Sequence, residues 1–412
     1  MLNYMSQFSV MRLPREILFG DGQVVALGQV AARHGTRALI CTDARFAASP
    51  AFSELHHCLR TAGLECHVFD AVEPDVPCEN VYRCTEGARS FSPDLVIGVG
   101  GGSCLDMAKC ASLILTHGGR LEDYYGEFKV PAKVLPVVAV PTTAGTGSEV
   151  TPVAVVSDST RTLKVGISSP HIIPVAAICD PVLTWSCPPG LTAIAGADAL
   201  THAIEAFTAF RRDPDPELAQ KHVFVGKNEF SDTFALRAMK LIGRSLEKAC
   251  AEATNKQARA DMMQGALAAG CAFGTAGTSM AHAVQYPIGA LTHTAHGVGV
   301  AAMLPYAMSY NRGPARAELA EIAIALGAGQ ANQSEEELSH AAISEVSRMF
   351  AAVGIPATLK ALKLQKDRVE WIAEQAIGIG RLIKNNPRPI DLASMKRLLL
   401  AAFEGDLAAA AQ

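Results

Sequence analysis

Asp94-Leu-Val-Ile-Gly-Val-Gly-Gly-Gly-Ser103 decides the fold. An apolar, partly β-branched run ends in glycines and reads as a buried strand that turns into a helix reaching about Leu115. Glycines at such a turn let the backbone come close to a ligand. The free N–H groups and dipole of the following helix favour an anion there, a phosphate above all. The spacing is not quite G-x-G-x-x-G, because Ser103 takes the last position.

Working outward, Arg37-Ala-Leu-Ile-Cys-Thr-Asp43 reads as a second strand with a polar tip, followed by helix to Arg60. Glu65 to Asp70 reads as a strand, Asn80 to Ser90 as a helix and Lys133 to Val140 as a further strand. This alternation predicts an α/β domain with a mostly parallel, Rossmann-like sheet covered on both faces. Ligands of such sheets gather at the carboxyl ends of the strands. Pro141-Thr-Thr-Ala-Gly-Thr-Gly-Ser148 also follows a strand and is rich in hydroxyls and glycine. Two loops of this kind in one domain point to a dinucleotide rather than to a tight turn alone. Asp43, at its strand tip, suits the hydroxyls of an adenosine ribose and repels a 2′-phosphate, which favours NAD over NADP. On spacing alone it serves equally well as a helix cap.

From about Pro188 the texture changes to Ala-rich sequence of helical period. The helical stretches run over Leu191 to Phe210, Asp232 to Ala253, Lys256 to Phe273, Ala315 to Leu326, Ser334 to Val353 and Met395 to Phe403. Breakers such as Asp213-Pro-Asp-Pro216 and Asn385-Asn-Pro-Arg-Pro389 separate them. The expected organisation is a dinucleotide-binding α/β domain over 1–187 and an all-α, metal-binding domain over 188–412. The Ala-rich end from Ala408 reads as frayed.

Composition narrows the function. Hydrophobic residues make up 49% of the 412, ample for two cores. The 36 basic and 40 acidic residues are evenly spread, with no basic run or aromatic-interleaved stripe, which argues against a nucleic-acid partner. The longest apolar runs, such as Val134 to Val140, fall far short of the ~20 residues of a membrane helix. Met1 to Arg12 lacks the pattern of a secretory leader. The 11 cysteines form no C-x-x-C pair, and buried thiols in a reducing cytoplasm are the expectation.

Gly196-Ala-Asp-Ala-Leu-Thr-His-Ala-Ile-Glu205 lies in a helix, and Asp198 and His202 are four apart on one face. Ser279-Met-Ala-His282 reads as the end of a helical stretch before a break at Pro287. Leu291-Thr-His-Thr-Ala-His296 opens the next helix. Asp198, His202, His282 and His296 make a plausible cage for a divalent ion, with room for a substrate oxygen. Each taken alone also reads as an ordinary core or surface residue.

Together these segments resemble the iron-containing (group III) alcohol dehydrogenase family. The matches run from Phe19-Gly-Asp-Gly22 and Thr42-Asp43 through Gly100 to Lys109 and Pro141 to Val150. They continue over Gly196 to Glu205, Met280 to Asn311 and Asn386-Pro-Arg388. The resemblance implies the dehydroquinate-synthase-like architecture, a dinucleotide domain and a helical metal domain with the active site in the cleft between them. It places Asp198, His202, His282 and His296 on the metal ligands, with Fe(II) ahead of Zn(II). It also places Gly100, Gly101, Gly102 and Ser103 on the pyrophosphate turn, with Asp106 among the cofactor-binding residues. Thr142, Thr143 and Thr146 fall on the nicotinamide-side loop, and Lys164 on a lysine near the cofactor. Four residues beyond the third ligand, studied members carry a second histidine; here it is Tyr286, the candidate for proton transfer. The implied reaction is NAD-linked hydride transfer between a small alcohol and its aldehyde or ketone, in a homodimer or higher homo-oligomer. A hydroxyacid-oxoacid transhydrogenase is the nearest alternative, because Tyr286 resembles that branch. A dehydroquinate-synthase-like lyase is more remote, since the region from Leu191 to Phe207 has no basic residue besides His202.

Overall fold

In the computed structural model the strand Leu95–Gly100 (β4) is buried along its whole length, as its run of valine, isoleucine and glycine requires. Around it a six-stranded sheet forms from Glu16–Phe19 (β1), Arg37–Cys41 (β2), Glu65–Phe69 (β3), β4, Val137–Pro141 (β6) and Ala176–Cys179 (β9). Their order is β1-β9-β6-β4-β2-β3, and every pairing is parallel. Alternate residues of the strands feed two cores. Leu39 and Val96 face the helices Cys78–Ala88 and Gly102–His117. Ile40, Ile97, Val99 and Val138 face Leu55 and Leu59 of the helix Pro50–Thr61.

The chain steps outward from β2 to β3, then returns to lay β4 on the other side of β2. The strand order therefore reverses between β2 and β4, and it is at the carboxyl ends of strands flanking such a reversal that sheets of this kind take their ligands. Asp43 follows β2 there, and Gly100 ends β4. Gly100 is also the register partner of Pro141, so the glycine turn and the Pro141 loop leave neighbouring strands side by side.

A second, three-stranded sheet was not foreseen. Gly126–Glu127 (β5), Val165–Ser168 (β8) and Val153–Val156 (β7) lie in that order, with β7 antiparallel to β8.

Residues 8–412 are described; the first seven, part of the stretch read for a leader, lie outside them. The chain packs as two compact units. One is Arg12–Cys187, and the other contains Pro188–Gln412 together with the residues just before Arg12. In the helical unit the helix Pro189–Thr208 is buried at every residue from Gly196 to Thr208, a helix enclosed on all sides. Gly196 allows this close approach: a Cβ there would lie 2.5 Å from both Leu246 Cδ1 and Met262 Cε.

Two expectations for this unit are corrected. Pro287 does not end a helix before it; it lies inside the helix Met280–Thr292, which His282 begins rather than ends. The proline removes one donor, and the helix continues to a left-handed stop at His293 (φ 53°). The Ala-rich terminus is not frayed either. Ala410 is buried, Asp406 caps the last turn, and Arg388 donates to the carbonyls of Ala411 and Gln412. Among the described residues no helix is long and apolar enough to cross a membrane.

Candidate functional site: a glycine turn and a histidine cluster

In the first unit the helix Gly102–His117 starts at the end of β4 with Gly101 as its N-cap, and no side chain caps it. Its first N–H groups are thus available to an anion. Gly100 has φ +149°, and a Cβ would strike Cys104 Sγ at 2.4 Å. A Cβ on Gly102 would lie 2.6 Å from Thr146 Cγ2. The two loops therefore touch, and glycine is needed at both positions. Thr142 N donates to Gly100 O at 2.9 Å, while Thr142 Oγ1, although buried, has no hydrogen-bond partner among the described residues. A buried hydroxyl left this way at a strand tip suits a polar ligand. The turn fits a dinucleotide on these grounds.

Asp43 proves to be a helix cap: its Oδ1 accepts from Phe46 N at 2.9 Å. Its Oδ2 lies 3.9 Å from the Cys104 thiol and faces the Gly100 turn. One oxygen caps, and the other stands where a ribose is expected. Ser103 Oγ accepts from Asp75 N at 3.2 Å, and Asp75 Oδ1 pairs with Lys164 Nζ at 2.5 Å. Lys164 is thus tied to the loop beside Ser103. Asp106 differs from the rest of the set, because both carboxylate oxygens are used within the protein. They accept from Ser148 Oγ at 2.5 Å and Val155 N at 2.9 Å.

In the helical unit Asp198, His202 and His282 are buried, and His296 is partly exposed. Asp198 Oδ1 lies 3.9 Å from Nε2 of His202, of His282 and of His296. That is too long for a hydrogen bond. It is close to the separation of about 3.4 Å that ligand bonds of about 2.1 Å impose around a tetrahedral ion. Potential ligand atoms of Asp198, His282 and His296 all fall within 4.8 Å of one another. His202 stacks on His282 with ring centroids 4.7 Å apart and is backed by Phe273 at 4.1 Å. Gly297 lets the helix His296–Asn311 start against the Asp198 helix: a Cβ there would lie 2.6 Å from Ile194 O. Tyr286 lies one turn beyond His282, its ring centroid 6.1 Å from that of His296.

Glu205 was within the quoted motif but carried no assigned role. It is buried, and its Oε2 meets His282 Nδ1 at 2.6 Å. It also accepts from Ser279 N at 3.0 Å, Ser279 Oγ at 3.1 Å and Ala281 N at 2.7 Å. Burial acts to raise this carboxyl, yet His282 and the two backbone N–H groups hold it below the ordinary value. With Nδ1 donating to Glu205, the lone pair of His282 lies on Nε2, which is buried and has no hydrogen-bond partner among the described residues. This orphaned, correctly oriented nitrogen is what a metal would satisfy. The donor set, nitrogen with one carboxylate oxygen, suits Fe(II) or Zn(II).

A parallel sheet with a phosphate-type turn and a separate helical unit with a His/Asp cluster define a metal- and dinucleotide-linked oxidoreductase class. The profile described as "Iron-containing alcohol dehydrogenase" matches residues 14–181. That of the "Fe-containing alcohol dehydrogenase family, C-terminal" matches residues 192–403. The chain belongs to the iron-containing alcohol dehydrogenase family. It is 37% identical to long-chain-alcohol dehydrogenase 1 of Geobacillus thermodenitrificans over 94% of each chain. It is 32% identical to the NAD-dependent methanol dehydrogenase of Bacillus methanolicus, covering 95% of this chain and 99% of that one. The crystal structure of a 1,3-propanediol oxidoreductase superposes with a TM-score of 0.90 at 32% identity, covering 96% of this chain and all of that one. The three are alcohol oxidoreductases by name and lend no support to the transhydrogenase or lyase alternatives.

Proposed function

We propose that this enzyme interconverts a small alcohol and its aldehyde or ketone with NAD, using one divalent ion held by Asp198, His202, His282 and His296. The observation that carries the reading is a buried carboxylate oxygen 3.9 Å from three imidazole nitrogens, one of them orphaned. A divalent ion supplies Lewis acidity toward the alcohol or carbonyl oxygen, and NAD accepts or returns the hydride. Glu205 fixes the His282 tautomer, and Phe273 shields the His202 ring from water. The Gly100–Ser103 turn receives the pyrophosphate, and Thr142, Thr143 and Thr146 orient the nicotinamide end. Asp43 Oδ2 takes the adenosine ribose, and Lys164 lies near the cofactor. Tyr286 holds or passes a proton at its hydroxyl beside His296. Fe(II) is preferred to Zn(II). The reading extends to a cytoplasmic homodimer or higher homo-oligomer without membrane or nucleic-acid partners.

The test is NAD reduction across simple alcohols, diols and hydroxyacids, with and without added Fe(II) or Zn(II). Metal-dependent turnover of alcohols is expected. Turnover confined to paired hydroxyacid and oxoacid, with no release of NADH, would replace this reading with the transhydrogenase.

A further inference from the structure

One face of the helix Gly102–His117 stitches the two cofactor loops together. Gly102, Asp106 and Lys109 are spaced four and three apart and share that face. Gly102 abuts Thr146, and Asp106 takes the Ser148 hydroxyl and Val155 N. Lys109 is fully buried. Its Nζ donates to Ser148 Oγ at 2.8 Å, Thr151 O at 2.9 Å and Val153 O at 2.8 Å, with Thr151 Oγ1 at 3.3 Å. All three ammonium hydrogens are therefore spent on the segment that leaves the Pro141–Ser148 loop.

A lysine in this position is expensive. Desolvation of a buried ammonium is unfavourable and has to be offset by the groups that take up its hydrogens. Burial pushes Lys109 down to about 8, against the opposing pull of Asp106 and Glu149. Its three partners lie on a stretch without regular structure until β7 begins at Val153. A cation gripping two carbonyls and a hydroxyl fixes such a stretch in direction as well as in distance, which dispersion contacts do not.

We propose that Lys109 is a positioning residue for NAD, which it never touches: it clamps the Pro141–Ser148 loop onto the helix of the glycine turn, so that the threonine hydroxyls and the turn present one preformed surface. The proposal rests on the reading of these loops as the cofactor site. Without the ammonium the glycine turn keeps its own geometry, while Ser148, Thr151 and Val153 lose their common donor and the threonine loop is released.

The experiment compares Lys109→Met with Leu113→Ala in the full-length, metal-loaded enzyme. Leu113 is buried on the same helix, one turn further on, and contributes to the core alone. NADH dissociation constants are measured by fluorescence titration, with metal content, thermal midpoint, and kcat and KM for NAD. Lys109→Met is expected to weaken NADH binding at least tenfold and to raise KM for NAD, with kcat at saturation within about threefold and metal content unchanged. Leu113→Ala, at comparable thermal loss, is expected to stay within twofold in NADH affinity. Equal changes in both variants, or a thermal effect alone in Lys109→Met, would overturn the proposal. If Lys109→Met does not fold, Ser148→Ala removes one acceptor of the clamp. It is expected to weaken NADH about threefold, and unchanged affinity there overturns the proposal too. A wild type that binds no NADH would instead refute the cofactor site itself, and this inference with it.

Discussion

Replacing Glu205 by Gln keeps the side chain's shape and removes one acceptor and the charge. The two oxygens now serve four donors: Oε1 takes Ser279 Oγ and Ala281 N, and Oε2 takes Ser279 N and His282 Nδ1. With the amide nitrogen on the Oε2 side, it faces His282 Nδ1–H. The imidazole then has to move its proton to Nε2, the atom that looks toward Asp198. With the amide turned the other way, Ala281 N loses its acceptor and the neutral oxygen left on His282 is a weaker partner. Either way at least one charge-assisted hydrogen bond at a buried site is lost, worth about 1.5–3 kcal/mol. At 1.4 kcal/mol per decade this is roughly a ten- to hundredfold loss in metal affinity. The same range holds for outer partners of metal-bound histidines, about 10–100-fold. The assay is chelator competition for Zn(II) or Co(II) in Glu205→Gln against wild type, with NADH affinity as the control that should not move. Metal affinity within twofold of wild type, in a variant that folds and binds NADH normally, would refute the role given to Glu205.

Asp43→Asn retains a capping oxygen for Phe46 N and removes only the charge. It should shift the NAD/NADP ratio of kcat/KM toward NADP by about fivefold or more, the size of a ~1 kcal/mol repulsion between charges near 4 Å in water. An unchanged ratio would leave Asp43 as a cap alone. Tyr286→Phe should keep metal and NADH affinity and lower kcat by roughly 10²-fold where hydride transfer limits the rate, the usual scale of a lost general acid or base. A kcat close to wild type would move the proton path to another group. Burial pushes the Glu149 carboxyl up to about 7 from 4.5. Its contribution to stability is therefore fully present below pH 4.5 and is lost as the pH rises through 7. Glu149→Gln should become progressively more stable than wild type between pH 5 and pH 8, by up to about 3 kcal/mol at the upper end. A difference constant across that range, in chemical-denaturation midpoints, would show that Glu149 does not titrate there.

The sheet around β4 was readable because its strands are short, apolar and followed by helices, so local pattern and tertiary role agree. β1 was missed for the opposite reason: it is only Glu16–Phe19, and its partner β9 begins at Ala176. Strands β7 and β8 have four residues each and lie in turn-rich sequence, too short to display a period. Pro287 reads as a break in the sequence because its missing N–H weakens a helix locally, but burial of the helix Met280–Thr292 overrides that loss.

At the site, the i,i+4 spacing of Asp198 and His202 was legible from helical geometry. His282 and His296 needed the resemblance to join them, since no local period links separate helices. Glu205 carries a signal in the sequence: it is a second carboxylate, seven residues after Asp198, in a helix otherwise apolar enough to be buried all round. Lys109 had the same kind of signal, a charge amid Met107, Ala108, Cys110 and Ala111. A lone charge inside an apolar helical run is worth reading as a buried, fully partnered group. Asp106 carried that signal as well, and its partners are Ser148 and Val155 rather than free space.

On the function proposed above, one divalent ion held by Asp198, His202, His282 and His296 is required for alcohol-linked NAD reduction. Metal content per chain and turnover, measured together on wild type and His282→Ala, test it most directly. The wild type is expected to hold one Fe(II) or Zn(II) per chain and to be active, and a folded, NADH-binding His282→Ala to retain neither metal nor turnover. Stoichiometric metal and undiminished activity in that variant would contradict it.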